Sequence, residues 1–246
     1  LSMEVVSAEK NAELLESVPH ERMEDMAVVY RFVLDQTDSG NGTILVTNQL
    51  LDQYGITKEQ LRADAMENAP EIRPSEIRGM SEVMSELAPG MIPEVAPEDE
   101  QMFVATVPDK IHGAGVIAYP NFMEDAAQKM GGDFFVLPSS IHEVLLVKDN
   151  GQMTAKELEN MVKEVNATQV EPADQLTDHV YHYDSQNHIF ELADKYEERQ
   201  REAEHDAPDK DSVLGDLKEK KQEIAKKDPA KDAATKAATK KHETSL

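Results

Sequence analysis

Short apolar segments rich in β-branched and aromatic residues recur along this chain, and turn-forming residues separate them. Residues 26–34, MAVVYRFVL, form the clearest of these segments, and DQTDSGNG follows at residues 35–42. The apolar pattern resumes with TILVT at residues 43–47. Because Asn-Gly between two such segments is a strong hairpin signal, we predict an antiparallel strand pair here.

The same pattern predicts three further strand pairs. They are residues 102–107 with 115–119, residues 134–137 with 144–147, and residues 180–183 with 189–192. Residues 1–7 add a short strand at the start of the chain. Successive hairpins of this kind favour a mainly antiparallel sheet.

Helix signals lie between the strand segments. Thr57 precedes Gln60, and Thr154 precedes Glu157, with the spacing of a capping box. We expect Asn48 to cap a short helix between residues 43–47 and Thr57.

An apolar stripe with helical spacing predicts one more helix. Pro74 suits its first turn, and the stripe is formed by Ile77, Met80, Val83, Met84 and Leu87. The sequence therefore predicts an α+β fold, with helices packed on a mainly antiparallel sheet. Residues 42–52 resemble residues 114–124, and residues 57–69 resemble residues 154–167, so two similar strand–strand–helix units are an alternative arrangement.

The composition of the chain changes after Leu192. Residues 193–246 contain 13 basic and 14 acidic side chains, so residues 1–192 hold the other 12 basic and 35 acidic ones, a formal net charge of −23. We interpret residues 1–192 as an acidic α+β domain and residues 193–246 as a charged tail, helical at first and disordered from residue 229 onward. Residues 88–100, with three prolines, are a candidate boundary inside the domain.

The charge distribution restricts the classes of partner. An acidic domain repels phosphate backbones and anionic lipids, so we expect no nucleic acid and no membrane to bind through residues 1–192. Residues 213–241 of the tail differ, because they contain nine lysines and five acidic residues, which leaves their partner open. For the domain we expect a basic protein partner, with a helix over residues 212–227 docking into a groove. The oligomeric state stays open.

Missing residue types and motifs exclude several kinds of chemistry. The chain has no cysteine, which excludes disulfides, thiolate zinc sites, iron–sulfur clusters and cysteine nucleophiles. It contains no phosphate-binding P-loop, dinucleotide fingerprint or EF-hand loop, and we expect no cofactor. No apolar run approaches the ~20 residues that span a bilayer, so we predict a soluble, cytoplasmic protein.

The densest group of reactive side chains lies in LPSSIHEVLLV. Ser140, His142 and Glu143 fall between two apolar strands, and a serine nucleophile with His142 as its base is one interpretation. A nucleophile and a base so close in sequence rarely reach that geometry, and no G-x-S-x-G elbow surrounds the serine. The alternative is a tight strand connection in which serine hydroxyls bind the main chain.

Two segments have residue types that bind metal ions. His179, His182 and His188 fall in one predicted hairpin, where two imidazoles approach each other across the strands. A half-exposed sheet face is the simpler interpretation of these residues. Residues 98–100, EDE, are a weak candidate for a divalent cation, and we otherwise expect them to be solvated.

Several longer segments together resemble a known family. They are VPHERMEDMAVVYRFV, ILVTNQLLDQYGIT, GGDFFVLPSSIHEVLLV, MVKEVNATQV and LTDHVYHYD, and they are similar to the bacterial domain of unknown function 5688. The resemblance extends over about residues 1–200 and implies a bacterial protein of the kind found in gut Firmicutes, often on mobile elements. Members carry an additional N-terminal region, which we expect this chain, beginning with Leu1, to lack. The family supplies no activity, ligand or catalytic residue.

Three functions remain compatible with the sequence. The first is a non-enzymatic binding or interaction module that presents its acidic surface to a protein. The second is a hydrolase or transferase that uses Ser140, His142 and Glu143. The third is an acidic mimic of nucleic acid, in which the carboxylates of residues 1–192 imitate phosphates.

Overall fold

The computed structural model describes residues 1–34, 42–91 and 95–206, and the chain divides into two units, Leu1–Glu197 and Glu198–Leu246. Three predictions concern residues outside the described ranges. They are the turn at residues 35–41, the helix over residues 212–227 and the disorder from residue 229 onward. The strands are β1 (Ser2–Ser7), β2 (His20–Met23), β3 (Met26–Val33), β4 (Thr43–Leu45), β5 (Glu76–Gly79), β6 (Met102–Thr106), β7 (Phe134–Leu137), β8 (Val144–Lys148), β9 (Tyr181–Asp184) and β10 (Ile189–Leu192). The helices are α1 (Ala12–Ser17), α2 (Asn48–Tyr54), α3 (Lys58–Ile72), α4 (Met80–Leu87), α5 (Phe122–Met130), α6 (Ala155–Thr168), α7 (Ala193–Asp206) and a 3₁₀ helix (Gly113–Ala118).

The first sheet is built around β3, whose β-branched and aromatic residues suit a buried pleated surface. β1 runs antiparallel along one edge of β3, with Ser2 opposite Arg31 and Ser7 opposite Met26. β2 and β4 pair with successive parts of the other edge. The predicted pairing of residues 26–34 with residues 43–47 is therefore confirmed.

The second sheet contains six strands within the described ranges, in the order β10-β9-β7-β8-β6-β5, and all its pairings are antiparallel. The predicted pairs β7–β8 and β9–β10 are confirmed. Because β5 pairs with β6, residues on both sides of the 88–100 segment belong to this one sheet. Antiparallel sheets with helices packed on them confirm the predicted α+β class.

Both sheets contribute to one main hydrophobic core. Met3 and Val5 of β1 belong to it, and so do Phe134, Leu146 and Tyr181 of the second sheet. α3 packs on β1, and the 3₁₀ helix contacts both β1 and β6, which joins the two sheets. Among the described residues no helix is both long and apolar enough to cross a membrane.

Two smaller cores cover the outer faces of the sheets. Leu158 and Val162 of α6 pack on Phe135 of β7, and Leu15 of α1 packs on Val29 of β3. Since neighbouring residues of a strand point to opposite faces, Phe134 belongs to the main core and Phe135 to the smaller core under α6. The central strands of each sheet are therefore covered on both faces.

The 3₁₀ helix approaches its neighbours more closely than a side chain permits. A Cβ atom on Gly115 would lie 2.2 Å from the carbonyl oxygen of Met3. A Cβ atom on Gly113 would lie 2.1 Å from the Thr106 hydroxyl oxygen and 2.5 Å from the His142 carbonyl oxygen. Only glycine leaves room for such contact, so the two glycines fix where the segment sits between β1 and β6.

Two of the predicted caps are confirmed. The Thr154 hydroxyl accepts the Glu157 N–H, and the Glu157 carboxylate accepts the Thr154 N–H at 2.9 Å, which completes the predicted capping box. The Thr57 hydroxyl accepts the Gln60 N–H at 3.2 Å. The expected cap at Asn48 is wrong, because Thr47 precedes it in sequence and fills that position.

Three segments differ from the sequence predictions. Residues 115–119 are not a strand, because Gly115 and the preceding Gly113 allow the 3₁₀ helix to enter the core. The predicted helix after Pro74 begins only at Met80, because the preceding residues pair with the free edge of β6. Glu100 is buried rather than solvated, because its carboxylate accepts the Ser81 N–H at 3.1 Å. The strand β2 was not predicted from the sequence.

We expect Gly115→Ala to lower the free energy of unfolding by about 3 kcal/mol or more, because the new methyl group would collide with the rigid main chain of β1. Gly55→Ala is the matched control. Gly55 has a φ of 66°, and no atom lies within 4 Å of the place that a new methyl group would take, so its substitution costs only backbone strain, about 1 kcal/mol. Urea denaturation measures both values, and equal losses for the two variants would contradict the close packing.

Candidate functional site

A cleft of about 410 Å³ opens beside β1 and is lined by several polar side chains that interact across the fold. Its charged lining consists of Glu4, Lys10, Arg31 and His112. β1 supplies Glu4, β3 supplies Arg31, and His112 directly precedes the 3₁₀ helix. The same close contact that seats the 3₁₀ helix on β1 therefore brings these side chains together.

Glu4 is the centre of the polar cluster. Its side chain is only 4% exposed, and it accepts hydrogen bonds from Arg31 Nε and His112 Nδ1, each at 2.6 Å. Moving a carboxylate out of water costs several kcal/mol unless charged donors satisfy it. Here both carboxylate oxygens have a donor, so the burial of Glu4 is compensated and its geometry is fixed.

The surroundings of Glu4 favour its ionised form. Burial is the largest single influence on the Glu4 pKa and acts to raise it. The hydrogen bonds and positive charges of His112 and Arg31 together outweigh burial, so the pKa lies below its ordinary value. Glu4 is therefore a carboxylate at neutral pH.

His112 is held by its main chain as well as by its ring. Its φ of 52° lies in the left-handed region, which few residues other than glycine adopt. Arg73 binds both Asp109 and the Ile111 carbonyl, and Asp109 also accepts the Ile111 N–H at 3.1 Å. These contacts fix the turn before His112 and so define the direction of its side chain.

His142 lies beside His112. The two rings stack with their centroids 5.6 Å apart, and the His112 backbone N–H donates to His142 Nδ1 at 3.2 Å. His142 Nδ1 is thus an acceptor, and its other nitrogen, Nε2, faces Asp174 Oδ2 at 3.5 Å. Two imidazoles, each with a carboxylate at one nitrogen, therefore stand next to each other at the cleft.

The hydrogen bonds also determine which nitrogen of the neutral His112 ring carries the proton. Nδ1 donates to Glu4, so the proton of the neutral ring lies on that nitrogen. Nε2 of the neutral ring is then an acceptor, and Nε2 of the protonated ring is a donor. An imidazole held in this way can bind a ligand or move a proton.

The structure places Ser140, His142 and Glu143 differently from a catalytic triad. The Ser140 hydroxyl accepts the His142 backbone N–H at 3.0 Å, and Ser140 bridges to Gln175 through the main chain. Glu143 is exposed. Among the described residues no hydrogen bond joins the Ser140 hydroxyl to the His142 ring. The neighbour of that ring is His112. The hydrolase or transferase hypothesis stays a prediction.

The three histidines of the predicted hairpin bind three different carboxylates. His182 is fully buried, approaches Asp149 Oδ2 through Nε2 at 3.0 Å, and stacks on Tyr196 with ring centroids 3.5 Å apart. His179 Nδ1 lies 2.9 Å from Asp25, and His188 Nδ1 lies 3.5 Å from Glu124. In the part of the chain that the structure describes, no three His, Asp or Glu side chains are grouped to hold a metal ion.

Asp25 forms a second polar cluster. It accepts hydrogen bonds from the hydroxyls of Thr177, at 2.7 Å, and Tyr181, and it pairs with His179. Burial acts to raise the Asp25 pKa, but these bonds and the His179 charge outweigh it and lower the pKa. The pKa of Tyr181 is raised by its burial and by Asp25. Asp25 thus ties the β2–β3 turn to the segment that leads into β9.

A second cavity of about 660 Å³ lies along this cluster and shares Lys10 and Gln175 with the cleft. Lys10 Nζ donates to Gln175 Oε1 at 2.9 Å, so this contact lies at the junction of the two cavities. Lys10 itself is exposed. A long lysine side chain at such a junction is able to turn toward either cavity.

Glu4, Arg31 and His112 were not among the site residues predicted from the sequence. A signal for the first two was present, because each is an isolated charge within an apolar strand, SMEVVS and MAVVYRFV. Strand pairing places Glu4 opposite Val29, which makes Arg31 its diagonal neighbour. No comparable signal exists for His112, because 108 residues separate it from Glu4.

The family model of DUF5688, described as a family of unknown function, matches residues 1–185. No curated protein and no solved structure matches the chain. The matched range includes the four charged residues of the cleft and both stacked histidines. The resemblance found in the sequence is therefore confirmed, and the family assigns no role to these residues.

We expect Glu4→Gln to lower the free energy of unfolding at pH 7 by about 2 kcal/mol, because Arg31 and His112 lose their charged acceptor. The folded-state pKa of Glu4 lies below its ordinary value of 4.5, so its ionised form stabilises the fold above about that pH. This contribution disappears as the pH falls through the folded-state pKa. The difference between the variant and the unsubstituted chain is therefore expected to shrink toward pH 3.

Urea denaturation at a series of pH values measures this effect. Glu13→Gln is the control, because Glu13 is an exposed carboxylate on α1, and its change should stay within about 0.5 kcal/mol. A loss for Glu4→Gln that is equal at pH 7 and pH 3 would show that the charge of Glu4 does not stabilise the fold.

Proposed function

Because the chain belongs to DUF5688, a family of unknown function, we propose a function from its own surface: it is a non-enzymatic module that binds a protein partner. The partner segment is a basic, amphipathic helix. It docks on the α4 surface, which we define as the exposed side chains of Met84, Leu87 and Met91.

The exposure of these apolar side chains is the observation that carries the proposal. Met84, Leu87 and Met91 are 39%, 76% and 80% exposed. Met84 and Leu87 lie one turn apart on α4, and Met91 lies in the turn that follows, closed by its N–H to the Ala88 carbonyl at 3.1 Å. Grouped apolar exposure of this kind is typical of binding surfaces rather than of solvated ones.

The attachment of α4 explains why its apolar side chains remain free for a partner. No residue of α4 is fully buried. Arg78 of β5 forms ion pairs with Glu82 and Glu86 on α4, which hold the helix beside the edge of the second sheet. The helix is therefore anchored through polar contacts, and Met84 and Leu87 are not needed for the core.

The chemistry of the surface favours an amphipathic helix as the occupant. Methionine side chains are unbranched and polarisable, so they adapt to apolar partners of different shape. Helices with apolar residues spaced by three or four positions bind to such surfaces through one face.

The charge of the chain favours a basic partner. Residues 1–192 hold 35 acidic and 12 basic side chains. The resulting negative potential attracts basic segments and accelerates their encounter with the surface, and it repels acidic ones. Apolar contact and charge together select a basic amphipathic helix.

A model peptide tests the proposal directly. We expect a peptide made of two copies of Leu-Lys-Lys-Leu-Leu-Lys-Leu to bind the full chain in calorimetry, with affinity that falls as salt rises. Leu87→Asp should weaken binding by about tenfold or more, because it places a charge in the apolar contact. Tyr54→Asp is the matched control, because Tyr54 on α2 has a large, mostly apolar side chain that is 63% exposed.

The controls separate the surface from general charge attraction. A peptide with Glu in place of Lys should not bind. Unchanged affinity in Leu87→Asp would mean that charge alone attracts the peptide, and equal losses in Leu87→Asp and Tyr54→Asp would mean that the contact is not specific to α4. Either result would show that the α4 surface is not the binding site.

A further inference from the structure

We propose that the cleft beside β1 is a binding site for a small organic anion, a molecule with a carboxylate or phosphate head and an apolar body. This site is separate from the α4 surface, and the two proposals stand or fall independently. The head would lie against Lys10, Arg31 and His112.

The lining of the cleft contains more basic than acidic side chains. Among the described lining residues, Lys10, Arg31 and His112 are basic and Glu4 is the acidic one. Both oxygens of Glu4 already accept hydrogen bonds from Arg31 and His112. The carboxylate therefore holds the basic groups in place, and its charge is offset by that of Arg31, which leaves Lys10 as the excess positive charge of the lining.

Basic residues are few in this chain, and two of them lie together in the cleft. Residues 1–192 contain 12 lysines and arginines against 35 acidic residues. Two of the 12, Lys10 and Arg31, line the same cleft. Although residues 1–192 are acidic as a whole, basic side chains outnumber carboxylates in the described lining of this cleft, and oriented positive charge in a concave region attracts anions.

Two of the basic side chains, Arg31 and His112, are already held in place by other residues. Arg31 is oriented by its bond to Glu4 at 2.6 Å and by a contact of 3.4 Å from Nη1 to the Thr43 hydroxyl. His112 is oriented by Glu4 and by the bond from its backbone N–H to His142. A ligand that binds groups already held in place avoids the entropy cost of ordering them. Guanidinium groups also match the planar geometry of carboxylates and phosphates.

The apolar part of the cleft lining indicates what kind of body the ligand would have. Leu14, Ile141, Pro172 and Ala173 provide apolar contact. The volume of about 410 Å³ lies within the ~300–1,000 Å³ range of small-molecule sites. An inorganic ion would leave this apolar wall in contact with water, so a head group joined to an apolar body fits the cleft better.

Lys10 gives the site an adjustable contact. It is exposed and binds Gln175 at the junction with the second cavity, and no carboxylate is its hydrogen-bond partner among the described residues. Its ammonium group can therefore turn to an anion without breaking a buried ion pair. This makes Lys10 the residue whose substitution tests the site with the least effect on folding.

Nuclear magnetic resonance titration of the full chain tests the proposal, with benzoate and phenyl phosphate as probes. We expect both to shift the amide signals of residues around the cleft, such as Lys10, His112 and Gln175. Benzyl alcohol, a neutral molecule of similar size, should bind at least about tenfold more weakly. Inorganic phosphate separates the contribution of the head from that of the apolar body and should also bind more weakly than phenyl phosphate.

Two substitutions locate the binding site. Lys10→Gln should weaken benzoate binding by about fivefold, whereas Lys156→Gln, the same change at an exposed lysine on α6, should leave it unchanged. His112→Asn should also weaken binding, and asparagine tolerates the left-handed backbone at this position. Leu87→Asp should not affect the probes.

The result that overturns the proposal is equally specific. An anion site in the cleft would be excluded if benzyl alcohol and benzoate bound with equal affinity, or if neither anionic probe bound. It would also be excluded if the shifts were confined to residues away from the cleft, or if Lys10→Gln and Lys156→Gln had equal effects.

Discussion

The contact between β1 and the segment around the 3₁₀ helix is the constraint on which the rest of the structure depends. The Gly115 main chain rests on the Met3 carbonyl group, and one residue further along β1 the Glu4 carboxylate accepts a hydrogen bond from His112. The same helix also contacts β6. One short segment thus joins the two sheets and creates the cleft at the place where it does so.

This contact combines an apolar and an ionic element, and the two have different consequences. Close packing of the glycines lowers the free energy of the fold through van der Waals contact and buried apolar area. Compared with apolar side chains of similar size, the Glu4 cluster adds little net stability, because the cost of removing a carboxylate from water offsets much of its attraction to Arg31 and His112. What the cluster does provide is orientation, since it leaves Arg31 and His112 in fixed positions along the cleft.

Local parts of the fold could be predicted from the sequence, and non-local parts could not. Thr154 and Glu157 are three residues apart, so their capping box was visible in the sequence, and so were the hairpins of β3 with β4 and of β9 with β10. The segment containing His142 was also identified, but its partner in space, His112, is 30 residues away. The strand β5 was missed because its pairing with β6 overrides a helical pattern in the sequence.

The Glu4–His112 contact links the fold to the cleft, and a double-mutant cycle measures that link directly. The free energies of unfolding of Glu4→Gln, His112→Asn, the double variant and the unsubstituted chain give the coupling energy between the two side chains. We predict a coupling of about 1.5 kcal/mol or more at pH 7, within the range for residues in one hydrogen-bonded network. Losses that add within about 0.3 kcal/mol would show that the two side chains act independently, and would contradict the account.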